Sequence, residues 1–232
     1  MLFRSLPLVV HATTLATARD AVDAGAHLLV HSVEDRVVDD AFVAAMKQKG
    51  TSYCPTLTVY DGYLQVYAGE PSAEVVAQLE QVHPSVKARV LRTKELKPRN
   101  PRAVDGMKKS AELRTKTMRA NIAKLHAADI PIVLGTDAGN PLTLHGPSIF
   151  VELEAMQAAG MDAKAVLVAA TSGAAHAMGR STDLGRVAPG YQADLLVLDQ
   201  DPEADVRAFR SLAQVIRRGQ MHLRNDLRPN GP

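Results

Sequence analysis

The sequence predicts an α/β fold: a parallel sheet with helices over its faces, and a small β-rich appendage after it. Three observations lead there. Short apolar, β-branched runs at residues 8–11, 28–31, 52–57 and 131–134 alternate with stretches of helical length, the pattern of strands buried on both faces. The chain of 232 residues is 46% hydrophobic and 22% charged, enough apolar material for a real core and unlike a disordered or fibrous chain. The alternation then stops near Gly185, where two short strand-like runs follow with no helix between them. Aromatics are only 4% and Trp is absent, so Ala, Val and Leu must build the core.

The elements follow in order. Residues 1–10 look superficially like a leader, but their apolar stretch is short and no small-residue cleavage site follows, so they are expected to run into the first strand. Pro7 precedes that strand, and Thr13 or Thr14 can cap a helix over 15–24 that stops at Gly25. A second strand over 28–31 leads to a helix from Asp39 or Asp40 to Lys49, closed by Gly50. The third strand, over 52–57, is interrupted by Pro55. Residues 58–100 mix Tyr, Gly and Pro with helical stretches such as 86–96. A long charged helix is expected over 104–128 and a fourth strand over 131–134, then helices near 149–159, 163–170 and 174–176. Turn-like residues 185–190 open the appendage, in which 193–198 and 213–217 are expected to pair outside the main sheet. The expected division is 1–184 for the α/β part, 185–224 for the appendage, and a frayed tail over 225–232.

Several functions are disfavoured at once. Lys and Arg number 27 against 25 acidic residues, which gives no electrostatic case for a nucleic-acid or anionic-membrane partner. Lys94, Lys97, Arg99, Arg102, Lys108 and Lys109 are interleaved with Glu95, Asp105 and Glu112 and read as a solvated face. No apolar run approaches the ~20 residues of a membrane-spanning helix. No G-x-G-x-x-G or P-loop follows any strand, which counts against dinucleotide or phosphate chemistry. The single Cys54 excludes an internal disulfide framework and sets a reducing, cytoplasmic location as the expectation.

The residues that point to chemistry share a position. His11, His31 and Asp137 each stand at, or just past, the carboxyl end of a predicted parallel strand, where α/β folds assemble active sites. Neutral imidazoles there suit a borderline ion such as Zn²⁺, and a carboxylate adds charge and a proton acceptor. Each residue also has a plain structural reading. A histidine after a strand often only hydrogen-bonds its neighbours, and Asp137 can close a turn or cap a helix. Cys54 reads as a packed thiol. His27, His83, His126, His176 and His222 lie at the opposite strand end, in a loop, on helices and in the appendage, and are read as structural.

The runs Val10-His11-Ala12, Leu29-Val30-His31-Ser32, Cys54-Pro55-Thr56-Leu57 and Leu134-Gly135-Thr136-Asp137-Ala138-Gly139 resemble the amidohydrolase superfamily, in particular the imidazolonepropionase-related branch. Later segments agree: His145-Gly146 before Glu152-Leu153, Ala169-Ala170-Thr171, the turn at 185–190 leading to Ala193-Asp194-Leu195-Leu196-Val197-Leu198, and Val215-Ile216-Arg217-Arg218-Gly219. The resemblance implies a (β/α)₈ TIM-type barrel with a small β-sandwich. It implies hydrolysis of C–N bonds in amides, imides or cyclic amides, with one or two divalent ions, zinc foremost. By the same resemblance His11 and His31 are metal ligands of strands five and six. Asp137, on strand eight, touches metal and takes the proton of the attacking water. His145 and, more weakly, Tyr60 fall where relatives contact substrate.

The departures are equally specific. Such enzymes open with a His-x-His pair, and none of the eight histidines here forms one. A complete barrel takes roughly 250 residues, yet the strand that matches strand five begins within ten residues of Met1. The chain therefore resembles the C-terminal half of an amidohydrolase: strands five to eight of the barrel with the C-terminal part of the sandwich. Two readings follow, a metal-dependent hydrolase of small-molecule amides, or an inactive half-barrel that works only with a partner chain. An N-terminal half-barrel or a second copy is the expected partner.

Overall fold

The computed structural model of the protein describes residues 6–96 and 101–227. Lys97 and Arg99 of the basic cluster, the first five residues and 228–232 of the expected tail lie outside them. The chain forms two compact units, each assembled from separate stretches: residues 1–56, 114–135 and 156–191 make one, and 57–113, 136–155 and 192–232 the other.

The first unit carries a parallel sheet. Strands β1 (Val9–His11), β2 (Leu28–Val30) and β3 (Ser52–Cys54) lie side by side in chain order, with Val10 opposite Leu29 and Leu29 opposite Tyr53. Helix α1 (Leu15–Asp23) connects the first pair and α2 (Asp40–Lys49) the second. Thr14 caps α1 through its side chain and Asp39 caps α2, satisfying N–H groups that a helix start leaves bare. Gly50 closes α2 in the left-handed conformation, as expected of a residue after a helix end. Leu29, Tyr53, Phe42, Met46, Met118, Ile122 and Leu125 are buried in this unit.

Two strand expectations were too long. The third strand ends at Cys54, because Pro55 has no N–H to continue a ladder and Thr56 turns into the left-handed region at φ 45°. The run at 131–134 makes a single parallel bridge, Ile132 to Tyr53, flanked by bonds from Tyr53 N–H to Pro131 O and from Val133 N–H to Tyr53 O. The next N–H, that of Leu134, turns to Ala169 O. Ala169 lies in helix α8 (Ala163–Ala170), so at Leu134 the chain bonds a helix and not a strand.

Other boundaries moved by a turn. Between β3 and the long helix lie α3 (Val59–Ala68), α4 (Ala73–Ala77) and α5 (Pro84–Leu91), the last followed by a 3₁₀ turn over Arg92–Glu95 where one helix over 86–96 was expected. Helix α6 runs Pro101–Ala127, α7 Ser148–Ala158 and α9 Ser172–Ala177.

In the second unit Val75, Leu79, Val82, Val90 and Leu144 form a small apolar core. Its sheet is antiparallel: β4 (Leu195–Leu198) pairs with β5 (Leu212–Arg217), and β5 with β6 (Gln220–Leu223). The third strand was missed because its Gln-Met-His-Leu sequence alternates too briefly to register. A 3₁₀ turn over Arg224–Leu227 takes in the end of the expected appendage and the beginning of the expected tail. Arg210 fastens this unit, bonding Glu154 at 2.5 Å and Glu74 at 2.8 Å with its guanidinium 5.5 Å from the Phe150 ring.

A fully buried amide holds the loop after β2. Asn121 of α6 donates to Val33 O at 2.8 Å and Arg36 O at 3.0 Å, and accepts from Val38 N–H at 2.8 Å. Replacing Asn121 by Ala strands the buried backbone groups of Val33 and Val38, and each buried group without a partner costs about 1–3 kcal/mol. We expect a loss of at least ~2 kcal/mol, read as a lower urea midpoint with an unchanged slope.

Candidate active site

The parallel ladder sets where its residues can act. Because the strands run the same way, their carboxyl ends share one edge, and β1 ends on His11 while His31 follows the last residue of β2. The two rings meet edge to face with centroids 4.4 Å apart and planes at 71°. His31 leaves the strand at φ 75°, with its N–H bonded to Cys54 O at 2.9 Å. Its Nδ1 lies 2.7 Å from the hydroxyl of Thr56. His11 is exposed, His31 half-buried and Thr56 only 2% exposed.

The loop behind His31 is tied down on every side. Ser32 donates to Pro55 O at 3.0 Å, and the Tyr53 hydroxyl accepts from Val33 N–H at 2.8 Å. Burial pushes the Tyr53 phenol up to about 12, so it stays neutral at any working pH. Cys54 is buried as expected, and its sulfur occupies the space that a side chain on Gly135 would need.

Asp137 belongs to the second unit and opens a tight loop. It is exposed, at φ 55°, a conformation that Asp tolerates better than most residues. Its carbonyl accepts from the side chain of Asn140 at 2.9 Å and from Asn140 N–H at 3.4 Å. The amide oxygen of Asn140 accepts in turn from the Tyr63 hydroxyl at 2.5 Å. Gly62 gives α3 its approach to this loop, because a Cβ there would meet Pro141 O. His145 is exposed, with Nε2 beside Gly139. Tyr60 is half-buried and its ring lies 6.5 Å from that of Tyr63. Sequence reading chose Tyr60 from this helix; Tyr63, one turn on, bonds the Asp137 loop.

Glu152 is the other residue that the sequence did not single out. On α7 and fully buried, its carboxylate accepts from Leu57 N–H at 2.6 Å, Thr58 N–H at 3.0 Å and the Thr58 hydroxyl at 2.9 Å. Glutamate in an apolar helix after His145-Gly146 was the available signal, used only as part of a family pattern.

The two imidazoles fit a divalent ion as two of the three or four protein donors it needs. Among the described residues no group of three or more His, Cys, Asp and Glu stands close enough to hold one. Two of the histidines read as structural have such roles: His27 Nε2 lies 2.9 Å from Ala177 O, and His83 caps α5.

The amidohydrolase family pattern matches residues 5–221. The chain belongs to that family. It is 38% identical over 90 residues to an imidazolonepropionase of Salinispora tropica (strain ATCC BAA-916), covering 38% of this chain and 22% of that protein. Against the imidazolonepropionase of Chromobacterium violaceum it is 35% identical over 115 residues, 44% of this chain and 27% of the relative. Among solved structures, a Xaa-Pro dipeptidase crystallised with methionine in its active site superposes with a TM-score of 0.67 at 20% identity, over 94% of this chain and 45% of that one. The chain thus spans less than half of each of these relatives, and its fold fits part of an amidohydrolase barrel.

Burial raises the Glu152 carboxyl from its ordinary 4.5 to about 7, against the three bonds that favour its charged form. Between those pH values the folded chain keeps a proton that the unfolded chain has released. The stability gained is complete below pH 4.5 and lost as pH rises through 7. We expect the urea midpoint to fall across that window by the equivalent of roughly 3 kcal/mol, and the fall to vanish in Glu152→Gln. An equal fall in the variant would place its origin elsewhere.

Proposed function

We propose that the protein serves in hydrolysis of C–N bonds in small amide, imide or cyclic amide substrates, as part of a metal-dependent amidohydrolase site. The observation that carries the reading is the pair of imidazoles in edge contact where two parallel strands end. In this reading His11 and His31 hold the ion, together with Asp137. A divalent ion, zinc foremost, would acidify water and polarise the substrate carbonyl when bound. Asp137 receives the proton of the attacking water on a carboxylate oxygen and returns it to the leaving nitrogen. His145 and Tyr60 contact the substrate. Imidazolonepropionase and Xaa-Pro dipeptidase among the relatives support a C–N bond in a ring or beside one as the class of target.

No three His, Cys, Asp or Glu donors stand together among the described residues, and β1 pairs on one side only, with β2, among the described strands. Unpaired strand edges invite another chain. We therefore assign the chain to strands five to eight of a barrel, with the appendage as part of a sandwich and residues 1–184 as the barrel portion. An N-terminal half-barrel, or a second copy, supplies the remaining ligands. No helix among the described residues is long and apolar enough to cross a membrane, and a cytoplasmic site of action accords with the lone cysteine.

The second reading, a half-barrel without catalysis of its own, is favoured by the same incomplete donor set. Co-expression with the N-terminal half of a related enzyme separates the two. We expect little bound metal and little amide hydrolysis from the chain alone, with both rising in the complex. Asp137→Asn in the complex should lower turnover ~10²–10⁴-fold, the usual loss of a general base, with metal content measured alongside. A complex that binds metal yet turns nothing over supports the second reading. Stoichiometric metal and turnover by the chain alone would refute the incomplete site.

A further inference from the structure

Three successive residues, Cys54, Pro55 and Thr56, grip the segment that carries His31. Cys54 O accepts the His31 N–H, Pro55 O accepts the Ser32 hydroxyl, and the Thr56 hydroxyl meets His31 Nδ1 at 2.7 Å. Thr56 holds this place at a cost. A β-branched residue at φ 45° is a true outlier, held only where its surroundings over-determine it. Packing alone does not account for it, because a residue tolerant of the left-handed region would fill the turn more cheaply. What threonine adds is a buried hydroxyl aimed at one nitrogen of one ring.

We infer that Thr56 is a positioning residue for His31: its oxygen accepts the Nδ1 proton, fixing the ring and placing the basic lone pair on Nε2. A histidine that binds an ion through Nε2 carries its proton on Nδ1, and that second nitrogen ordinarily donates to a neighbour that sets ring orientation. The backbone bond to Cys54 O fixes where the residue leaves the sheet, and the Thr56 contact fixes how the ring is turned. The inference rests on the reading of His31 as a ligand, and it extends that reading to a residue outside the donor set.

The tautomer can be measured on the whole chain. Long-range ¹H–¹⁵N correlation NMR in mildly alkaline solution, with His31 assigned through His31→Gln, reads which ring nitrogen carries the proton. We expect the Nδ1–H form in the natural chain and in Thr56→Ser, and a shift toward Nε2–H in Thr56→Val. Zn²⁺ titration of the same samples, followed on the His11 and His31 ring signals, should show ~10–100-fold weaker binding for Thr56→Val than for Thr56→Ser. A natural chain in the Nε2–H form overturns the inference without any variant. So does a folded Thr56→Val chain with an unchanged tautomer. Absence of Zn²⁺ binding in the natural chain, alone and with an N-terminal half, would instead overturn the ligand reading of His31, while the tautomer decides the role of Thr56.

Discussion

The backbone of His31 leaves the sheet at φ 75° while its N–H still completes a bond to β3, and much of the first unit is organised around that departure. A parallel strand must end somewhere, and each N–H and C=O at its end needs a partner. Here the end of β3 supplies them in turn from Cys54 and Pro55, and the next residue reaches the ring itself. The loop that follows, over residues 32–38, has no ladder of its own. Tyr53, one residue into β3 from its end, and Asn121, from α6, satisfy its backbone instead. The imidazole pair therefore stands on fixed supports, as a site that must hold its geometry requires.

The second unit solves a similar problem with a loop. Residues 136–146 carry Asp137 and His145 on backbone that no strand pairs, and its bonds come from within and from α3. Asn140 takes both of its bonds to Asp137 from one side of the turn, while Tyr63 holds the amide from the other. Gly62 lets Pro141 approach where any side chain would collide. Glu152 acts likewise on the chain just after β3, turning two backbone N–H groups and a hydroxyl into one buried cluster. Burial makes its charge expensive, so the cluster couples local order to protonation.

These arrangements put charge and strain in the same places. His31, Thr56 and Asp137 all adopt positive φ, and none is glycine. His and Asp tolerate left-handed backbone better than most residues, whereas at β-branched Thr56 it persists only where the surroundings over-determine it. The polar supports are thoroughly satisfied around His31, yet the donor set for an ion is incomplete among the described residues.

The sequence by itself determined the parallel α/β order, the pairing of residues 193–198 with 213–217 outside the parallel sheet, and the position of His11 and His31 at strand ends. Those follow from short-range patterns: apolar runs, caps such as Thr14 and Asp39, and left-handed stops such as Gly50. It also carried the family, through motifs spread from Val10 to Gly219. The stop of the third strand at Cys54 follows from Pro55, which has no N–H. Tertiary structure alone decided that residues 131–134 make one bridge, with Leu134 N–H on Ala169 O. It alone revealed Thr56, Tyr63, Asn121, Asn140 and Glu152. Nothing in the chemistry of a threonine or an asparagine announces its partner. Their roles arise from pairs such as Thr56 with His31 and Asn121 with Val33, and only the folded chain brings these together.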